Sequence, residues 1–234
     1  MNIAVLLAGG TGARLGAEIP KQFLKVHGKT IIEHTLNVFE FHAQIDEIAI
    51  VIHPQYVEDM SQIVQMGGYQ KVKKILLGGA ERHHSSWVAI NACKEHPEAN
   101  LIIHDAVRPL IDAETISKVI GALAHYNAVT VAIPATDTMY QVENNLIQHI
   151  PKRDHLMRAQ TPQAFKQHIL QTAYQKFFEN ENFRATDDCG IVAKYMPKEP
   201  VFVVLGSENN LKITHIQDIV IFENLFQNET NIKM

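Results

Sequence analysis

The segment Leu7-Ala8-Gly9-Gly10-Thr11-Gly12-Ala13-Arg14-Leu15-Gly16 ends a short apolar run and is followed by Pro20-Lys21-Gln22-Phe23. Glycines there let backbone N–H groups approach phosphate oxygens with no Cβ in the way. For the glycines alone, a plain tight turn is the simpler reading. The Arg14 guanidinium and the Lys21 ammonium on the same segment turn it into a loop suited to a triphosphate. It is not a Walker A loop, because no Gly-Lys-Ser/Thr closes it. It is not a dinucleotide fingerprint either, since Leu15 stands at the third glycine of G-x-G-x-x-G.

Further along, Asp105 and Arg108 follow apolar Leu101-Ile102-Ile103, at a strand's C-terminal end, where open α/β sheets bind ligands. Asp105 could instead cap the next turn, and Arg108 could form a surface ion pair. Lys212 interrupts the short apolar strand expected at Leu211–Thr214, where a snorkelling lysine is the default explanation. Asp187-Asp188 reads as a helix N-terminus in preference to a metal site. The 13 histidines, including His53, His104 and the adjacent His83-His84, form no i, i+4 pair with a third ligand near, so metal ligation ranks low. No G-x-S-x-G elbow supports a hydrolase. Trp87 and Cys93 read as core of the helix after the third strand.

The elements that must position these groups alternate in type. Apolar, β-branched runs at Ile3–Leu7, Glu47–Ile52, Lys74–Leu77, Asn100–His104, Val129–Ile133 and Val201–Leu205 read as strands covered on both faces. Thr30–Phe41 opens on the capping-box pattern Thr30-x-x-Glu33, and Asp112–Tyr126 carries Ile116, Val119, Ile120 and Leu123 at helical spacing behind Asp112. A last helix, about His215–Phe226, is expected behind a Thr214 cap. The fold class is α/β: a Rossmann-like, mainly parallel sheet flanked by helices. Pro134–Gln163, with an Asn144-Asn145 turn, breaks the rhythm and reads as a hairpin arm on a single domain spanning residues 1–234. A two-stranded ribbon is marginal alone, so the arm is expected to pack on a second subunit.

Taken in order, the motifs L-A-G-G-T-G-A-R-L-G with P-K-Q-F, G-G-A-E-R at Gly78–Arg82, H-D-A-V-R-P at His104–Pro109, D-T-M at Asp137–Met139, R-A-Q-T-P-Q-A-F at Arg158–Phe165, A-T-D-D at Ala185–Asp188 and N-L-K-I-T at Asn210–Thr214 span nearly the whole chain. In this the sequence resembles the CTP-dependent cytidylyltransferases that activate polyol phosphates, with methylerythritol phosphate and ribitol phosphate branches. The resemblance implies CTP over the glycine loop, with Ala8, Gly9 and Gly10 near the nucleotide and Gly79 and Ser85 holding the cytosine. It places Arg14 and Lys21 on the phosphates, Lys212 at the reacting phosphate, and Asp105 and Arg108 facing both substrates. It implies a homodimer in which Thr138 and Arg153 of the arm reach the neighbour's polyol phosphate, with Thr161 and Thr186 near the same substrate. His83-His84 replaces the small or acidic residues common after that family's arginine. Between the branches, L-A-G-G, Val107 and Ile150-Pro151 lean toward ribitol 5-phosphate, while R-A-Q-T-P-Q and A-T-D-D are equally at home in the methylerythritol branch.

Elementary chemistry agrees with the reaction. A phosphate monoester is already largely ionised near neutral pH, its second pKa being about 6, so attack on the α-phosphorus of CTP needs no base. It needs cations, in-line positioning and a divalent ion. Mg²⁺ is the expected ion, keeping waters and taking at most one carboxylate, for which Asp105 is the candidate.

The 234 residues carry 21 Lys plus Arg against 25 Asp plus Glu, a net charge of −4 with a pI near 6.3. No Lys/Arg run is present, which argues against nucleic acid or an anionic membrane as partner. Two distant cysteines argue against a disulfide framework or zinc cluster. No apolar stretch approaches the roughly 20 residues of a membrane span, and a cytoplasmic location is expected. Two other classes compete: a nucleotide-binding module without turnover, disfavoured by so many cations, and a Rossmann-type oxidoreductase. The latter would need an acidic residue after the second strand, where His53-Pro54 stands.

Overall fold

A computed structural model of the chain describes residues 1–10, 19–180 and 184–232. The chain begins with β1 (Asn2–Ala8), the short hairpin β2 (Lys25–Val26) and β3 (Lys29–Thr30), then α1 (Ile31–Phe41) and β4 (Glu47–Ile52). Next come α2 (Val57–Gly67), β5 (Val72–Leu77), α3 (Arg82–Ala92), β6 (Asn100–Asp105), α4 (Ala113–Ala122) and β7 (Ala128–Pro134). A ribbon of β8 (Gln141–Glu143) and β9 (Leu146–His149) precedes β10 (Met157–Lys166), α5 (Gln167–Glu179), α6 (Asp188–Tyr195), β11 (Val201–Leu205) and α7 (Ile216–Ile232). Seven strands form one sheet in the order β11-β7-β10-β6-β1-β4-β5, parallel except for β10, which runs antiparallel to both its neighbours.

Alternation along the strands sorts the core into two layers. Ala4, Leu6, Ile48, Ile50, Ile52 and Ile102 face α1, α2 and α4, where Leu36, Phe39, Met60 and Val119 meet them. Val5, Leu7, Val51, Leu101 and Ile103 face α3, α5 and α6, meeting Ile90, Leu170, Tyr174 and Ile191. Fully burying one such side chain contributes about 1.5–3 kcal/mol. The last helix, α7, closes a smaller cluster in which Phe222 packs with Val26, Ile31, Leu110 and Ile213.

The caps at two helix starts form as the sequence predicts. Thr30 and Glu33 complete a reciprocal capping box, and Asp112 Oδ1 accepts from the Thr115 N–H at 2.6 Å. At α7 the cap differs: the Asp218 carboxylate accepts from the Thr214 and His215 N–H groups at 2.7 Å each, while the Thr214 hydroxyl donates to the Lys212 carbonyl. A carboxylate in the first turn of the helix thus takes the role expected of the threonine.

The expected arm is also shorter than its sequence bounds. The Asn144-Asn145 turn forms with both residues at positive φ, as a two-residue hairpin requires, but the ribbon ends at His149. Met157–Gln163, expected in the arm, is the greater part of β10 in the middle of the sheet. The register shifts between Ala159 and Gln163, and that irregularity is where a strand tolerates Pro162. Lys212 lies in irregular chain between β11 and α7, and not in the strand expected at Leu211–Thr214. Among the described residues no helix is long and apolar enough to cross a membrane.

Candidate active site

Parallel strands bring the C-terminal ends of β1, β5 and β6 to one edge of the sheet. A cleft of about 340 Å³ opens there, lined by Ala8 at the end of β1 and Gly9 and Gly10 after it, Gly79 and Ser85 around the start of α3, Asp105 at the end of β6, and by Lys21 and Lys212. Gln22, 1% exposed, pins the first wall: its Nε2 donates to the carbonyls of Ala8 at 2.8 Å and Gly10 at 3.0 Å. The second wall is fixed by the Gly79 N–H, which donates to Ser85 Oγ at 3.2 Å. A Cβ on Gly79 would sit 2.3 Å from the Cβ of His84, so a side chain there would displace the helix start. The buried Lys21 donates from Nζ to the Ile213 carbonyl at 2.8 Å, tying the beginning of the chain to the segment that carries Lys212.

Asp105 is the electrostatic centre. Lys212 Nζ lies 3.0 Å from Oδ2, Arg108 Nε 3.5 Å from Oδ2, and Arg82 Nε 3.7 Å from Oδ1. Burial by itself would raise this carboxyl. The ammonium of Lys212 and the guanidinium groups of Arg82 and Arg108 outweigh it and hold Asp105 well below the usual carboxylate range. Arg82 is shared: its Nη1 also binds Asp188 Oδ2 at 2.7 Å, and Asp188, fully buried at the start of α6, accepts the Tyr174 hydroxyl at 2.5 Å on its other oxygen. Burial opposes the charge on Arg82, but Asp188 and Asp105 more than compensate and raise its pKa.

A second concavity of about 230 Å³ lies on the far side of these charges, lined by Arg108, Gln160, Thr161, Thr186 and Asp187 and sharing Arg82, Asp105 and Lys212 with the first. Two hollows divided by a wall carrying two cations and one carboxylate can hold two anionic groups against each other without their repulsion forcing them apart.

Ala8, Gly9, Gly10, Lys21, Gly79, Ser85, Asp105 and Lys212, singled out from the sequence, thus share the first cleft, and Arg108, Thr161 and Thr186 the second. Thr138 and Arg153 line neither: both are exposed, and Arg153 Nη1 donates to the Thr136 carbonyl at 3.2 Å. Arg14 lies outside the described residues. Sequence reasoning gave no role to Arg82, although the G-G-A-E-R motif contains it; its partner Asp188 is 106 positions away. Gln22 was likewise passed over, and only its contacts with Ala8 and Gly10 mark it.

The groups weighed as alternatives are also accounted for. Asp187 caps α6 through the Gly190 N–H at 2.8 Å. His83 and His84 stand against Phe177 and Phe178, and Trp87 stacks on Tyr174 with centroids 5.9 Å apart. Cys93 is buried at the end of α3, where burial pushes its thiol pKa up. Among the described residues no three His, Cys, Asp or Glu side chains converge as a metal cage, and the Asp105 oxygens are engaged by three cations. A divalent ion held by a protein cage does not fit this set.

The comparisons with known proteins agree with this geometry. A family model described as IspD, 2-C-methyl-D-erythritol 4-phosphate cytidylyltransferase, matches residues 2–228. The chain is 46% identical over its whole length to the bifunctional ribulose 5-phosphate reductase/CDP-ribitol pyrophosphorylase Bcs1 of Haemophilus influenzae, of which it spans half the length. It is 38% identical to the 2-C-methyl-D-erythritol 4-phosphate cytidylyltransferase of Thermobifida fusca, over 96% of this chain and 92% of that one. Among solved structures, 4-diphosphocytidyl-2C-methyl-D-erythritol synthase from Anaerococcus prevotii superposes with a TM-score of 0.86 at 28% identity, covering 97% of this chain and 96% of the other. With a family model matched from the second residue through most of α7, and a cleft built from the residues its motifs carry, the chain belongs to the IspD family of cytidylyltransferases.

Proposed function

We propose that this chain transfers CMP from CTP to ribitol 5-phosphate, giving CDP-ribitol and pyrophosphate. The single observation that carries the reaction is the wall of Arg82, Asp105 and Lys212 common to the two concavities. The triphosphate occupies the first hollow, against the Gly9-Gly10 backbone and Lys21, and the acceptor phosphate the second, beside Arg108. An ionised acceptor oxygen forms a bond to the α-phosphorus, the bond from that phosphorus to the bridging oxygen breaks, and its electron pair leaves with pyrophosphate. No proton has to be removed. Lys21, Lys212 and Arg14 spread the developing charge, and Asp105 holds Lys212, Arg82 and Arg108 aimed at the junction. Mg²⁺ is proposed to arrive with CTP: it would offset phosphate charge, and Asp105, the carboxylate common to both hollows, is the side chain that would hold it.

The ribitol assignment is supported by the 46% identity to a relative named for CDP-ribitol synthesis. The second reading, transfer to 2-C-methyl-D-erythritol 4-phosphate, is supported by the family description and the relatives at 38%. We further propose a homodimer in which the arm carries Thr138 and Arg153 to the partner's second concavity. This accounts for their distance from the chain's own hollows and for exposed Val142, Leu146 and Ile147 on the ribbon. A cytoplasmic location is part of the same proposal. Pyrophosphate release with CTP and Mg²⁺ against ribitol 5-phosphate, 2-C-methyl-D-erythritol 4-phosphate and a sugar 1-phosphate tests the assignment. Turnover should favour ribitol 5-phosphate at least tenfold; preference for the methylerythritol ester selects the second reading, and equal use of all three, or of none, refutes both.

A further inference from the structure

Alternation along β6 points Asp105 toward α3 and the preceding His104 to the opposite layer, where its ring lies 5.2 Å from that of Phe39. His104 is completely buried, yet both ring nitrogens have partners: Nε2 is 3.1 Å from the Arg108 carbonyl and Nδ1 is 3.0 Å from Thr161 Oγ1. Burial keeps the ring neutral near pH 7, and a carbonyl only accepts, so Nε2 carries the one proton; Nδ1 then accepts, and the Thr161 hydroxyl proton points at it. The Thr161 oxygen in turn accepts the Asp105 N–H at 3.1 Å.

The chain of contacts closes on itself. The Thr161 carbonyl accepts Asn210 Nδ2 at 2.8 Å, and the Asn210 carbonyl accepts Arg108 Nη1 at 2.8 Å. Asn210 is 1% exposed and Thr161 is 4% exposed, so water offers little substitute for these bonds. The one proton of the Thr161 hydroxyl is committed inside the protein and is not available to a substrate oxygen. Thr161 therefore lines the second concavity, as its place in the R-A-Q-T-P-Q motif implies, with its hydroxyl proton turned inward to His104.

We propose that His104 and Thr161 are positioning residues: with Asn210 they form a closed hydrogen-bond circuit that fixes the Asp105 backbone and the Arg108 side chain, and through them the cations between the two hollows. The inference deepens the proposed transfer reaction and rests on it for its kinetic readout.

The test pairs kinetics with a spectroscopic measurement that needs no turnover. Thr161→Val removes donor and acceptor at nearly constant shape, Thr161→Ser keeps the hydroxyl, and His104→Gln keeps a donor near Nε2 while losing the Nδ1 acceptor. Cutting the circuit with Thr161→Val or His104→Gln should lower kcat about 10- to 100-fold, the usual effect of removing an orienting partner, with the acceptor KM changed less than threefold. The double variant should be no slower than the worse single, and Thr161→Ser should stay within threefold of the parent. A Thr161→Val enzyme with raised acceptor KM and preserved kcat, beside an unaffected His104→Gln, overturns the proposal in favour of direct contact; so does full additivity. Nitrogen-15 NMR of the unliganded protein at pH 7 should show His104 as the Nε2–H tautomer with a slowly exchanging ring proton. The Nδ1–H tautomer refutes the circuit whatever the kinetics, and remains decisive if a variant fails to fold. A parent protein without transferase activity but with the expected tautomer would refute the reaction and leave the circuit standing.

Discussion

Arg82→Leu removes the cation shared by Asp105 and Asp188 and strands the deeper of the two carboxylates. Asp188 has no solvent exposure, and after the substitution its remaining side-chain donor is the Tyr174 hydroxyl. Breaking a buried ion pair from one side costs roughly 3–5 kcal/mol because an uncompensated charge stays inside. The Arg82 side chain is 27% exposed, so screening favours the lower half of that range, about 3–4 kcal/mol. For a chain of this length that corresponds to a fall in Tm of about 10 °C. Adding Asp188→Asn removes the stranded charge, so the double variant should regain most of the loss while turnover stays about 100-fold down, since Asp105 still lacks its third cation. Urea melts of the parent, both singles and the double, with pyrophosphate release on each, complete the cycle. An Arg82→Leu protein within about 1 kcal/mol of the parent, or a double variant no more stable than that single, would refute the reasoning.

Lys212→Ala should cut turnover roughly 10²–10³-fold with an unchanged circular dichroism melt, because its side chain is 38% exposed and carries little of the core. Acid should weaken the fold in two stages. Burial lowers the His104 pKa from 6.5 to about 4, so the unfolded chain binds the extra proton in that window and stability falls as pH drops through it, by about 3 kcal/mol; His104→Gln should flatten that part of the curve. Asp105 is depressed, so its contribution is fully present above the ordinary carboxylate pKa and declines only as pH falls below it. Mixing inactive Arg153→Ala and Lys21→Ala proteins should restore about a quarter of parental activity if the arm works on the partner's site; no recovery despite demonstrated subunit exchange places Arg153 elsewhere.

What was legible in the sequence was mostly local. Thr30-x-x-Glu33 and Asp112 specify helix starts through bonds spanning three residues, and uninterrupted apolar runs specify strands; β1, β4, β6 and β7 are covered on both faces as expected, whereas β5 and β11, at the two edges of the sheet, are not. β10 was hidden because its centre is polar and contains Pro162. Gln160, Thr161 and Gln163 are buried only because Ser207, Asn210, His104 and Asp187 satisfy them from distant positions. No window of sequence contains those partners. The glycine loop and Lys21 signalled phosphate chemistry by type and spacing, whereas the bond from Lys21 to Ile213 spans 192 positions and exists only once the sheet has formed. Arg82 stood inside a motif already marked as functional; what its charge does depends on Asp188, which folding alone brings near it.

The central claim is that an acceptor phosphate oxygen attacks the α-phosphorus of CTP across the Asp105 wall. Ribitol 5-phosphate labelled with oxygen-18 on its phosphate, turned over with unlabelled CTP and followed by phosphorus NMR, tests this directly. The account predicts an oxygen-18 bridge between the two phosphorus atoms of the product and none in pyrophosphate. Label in the released pyrophosphate, or CMP appearing beside intact acceptor, would contradict it.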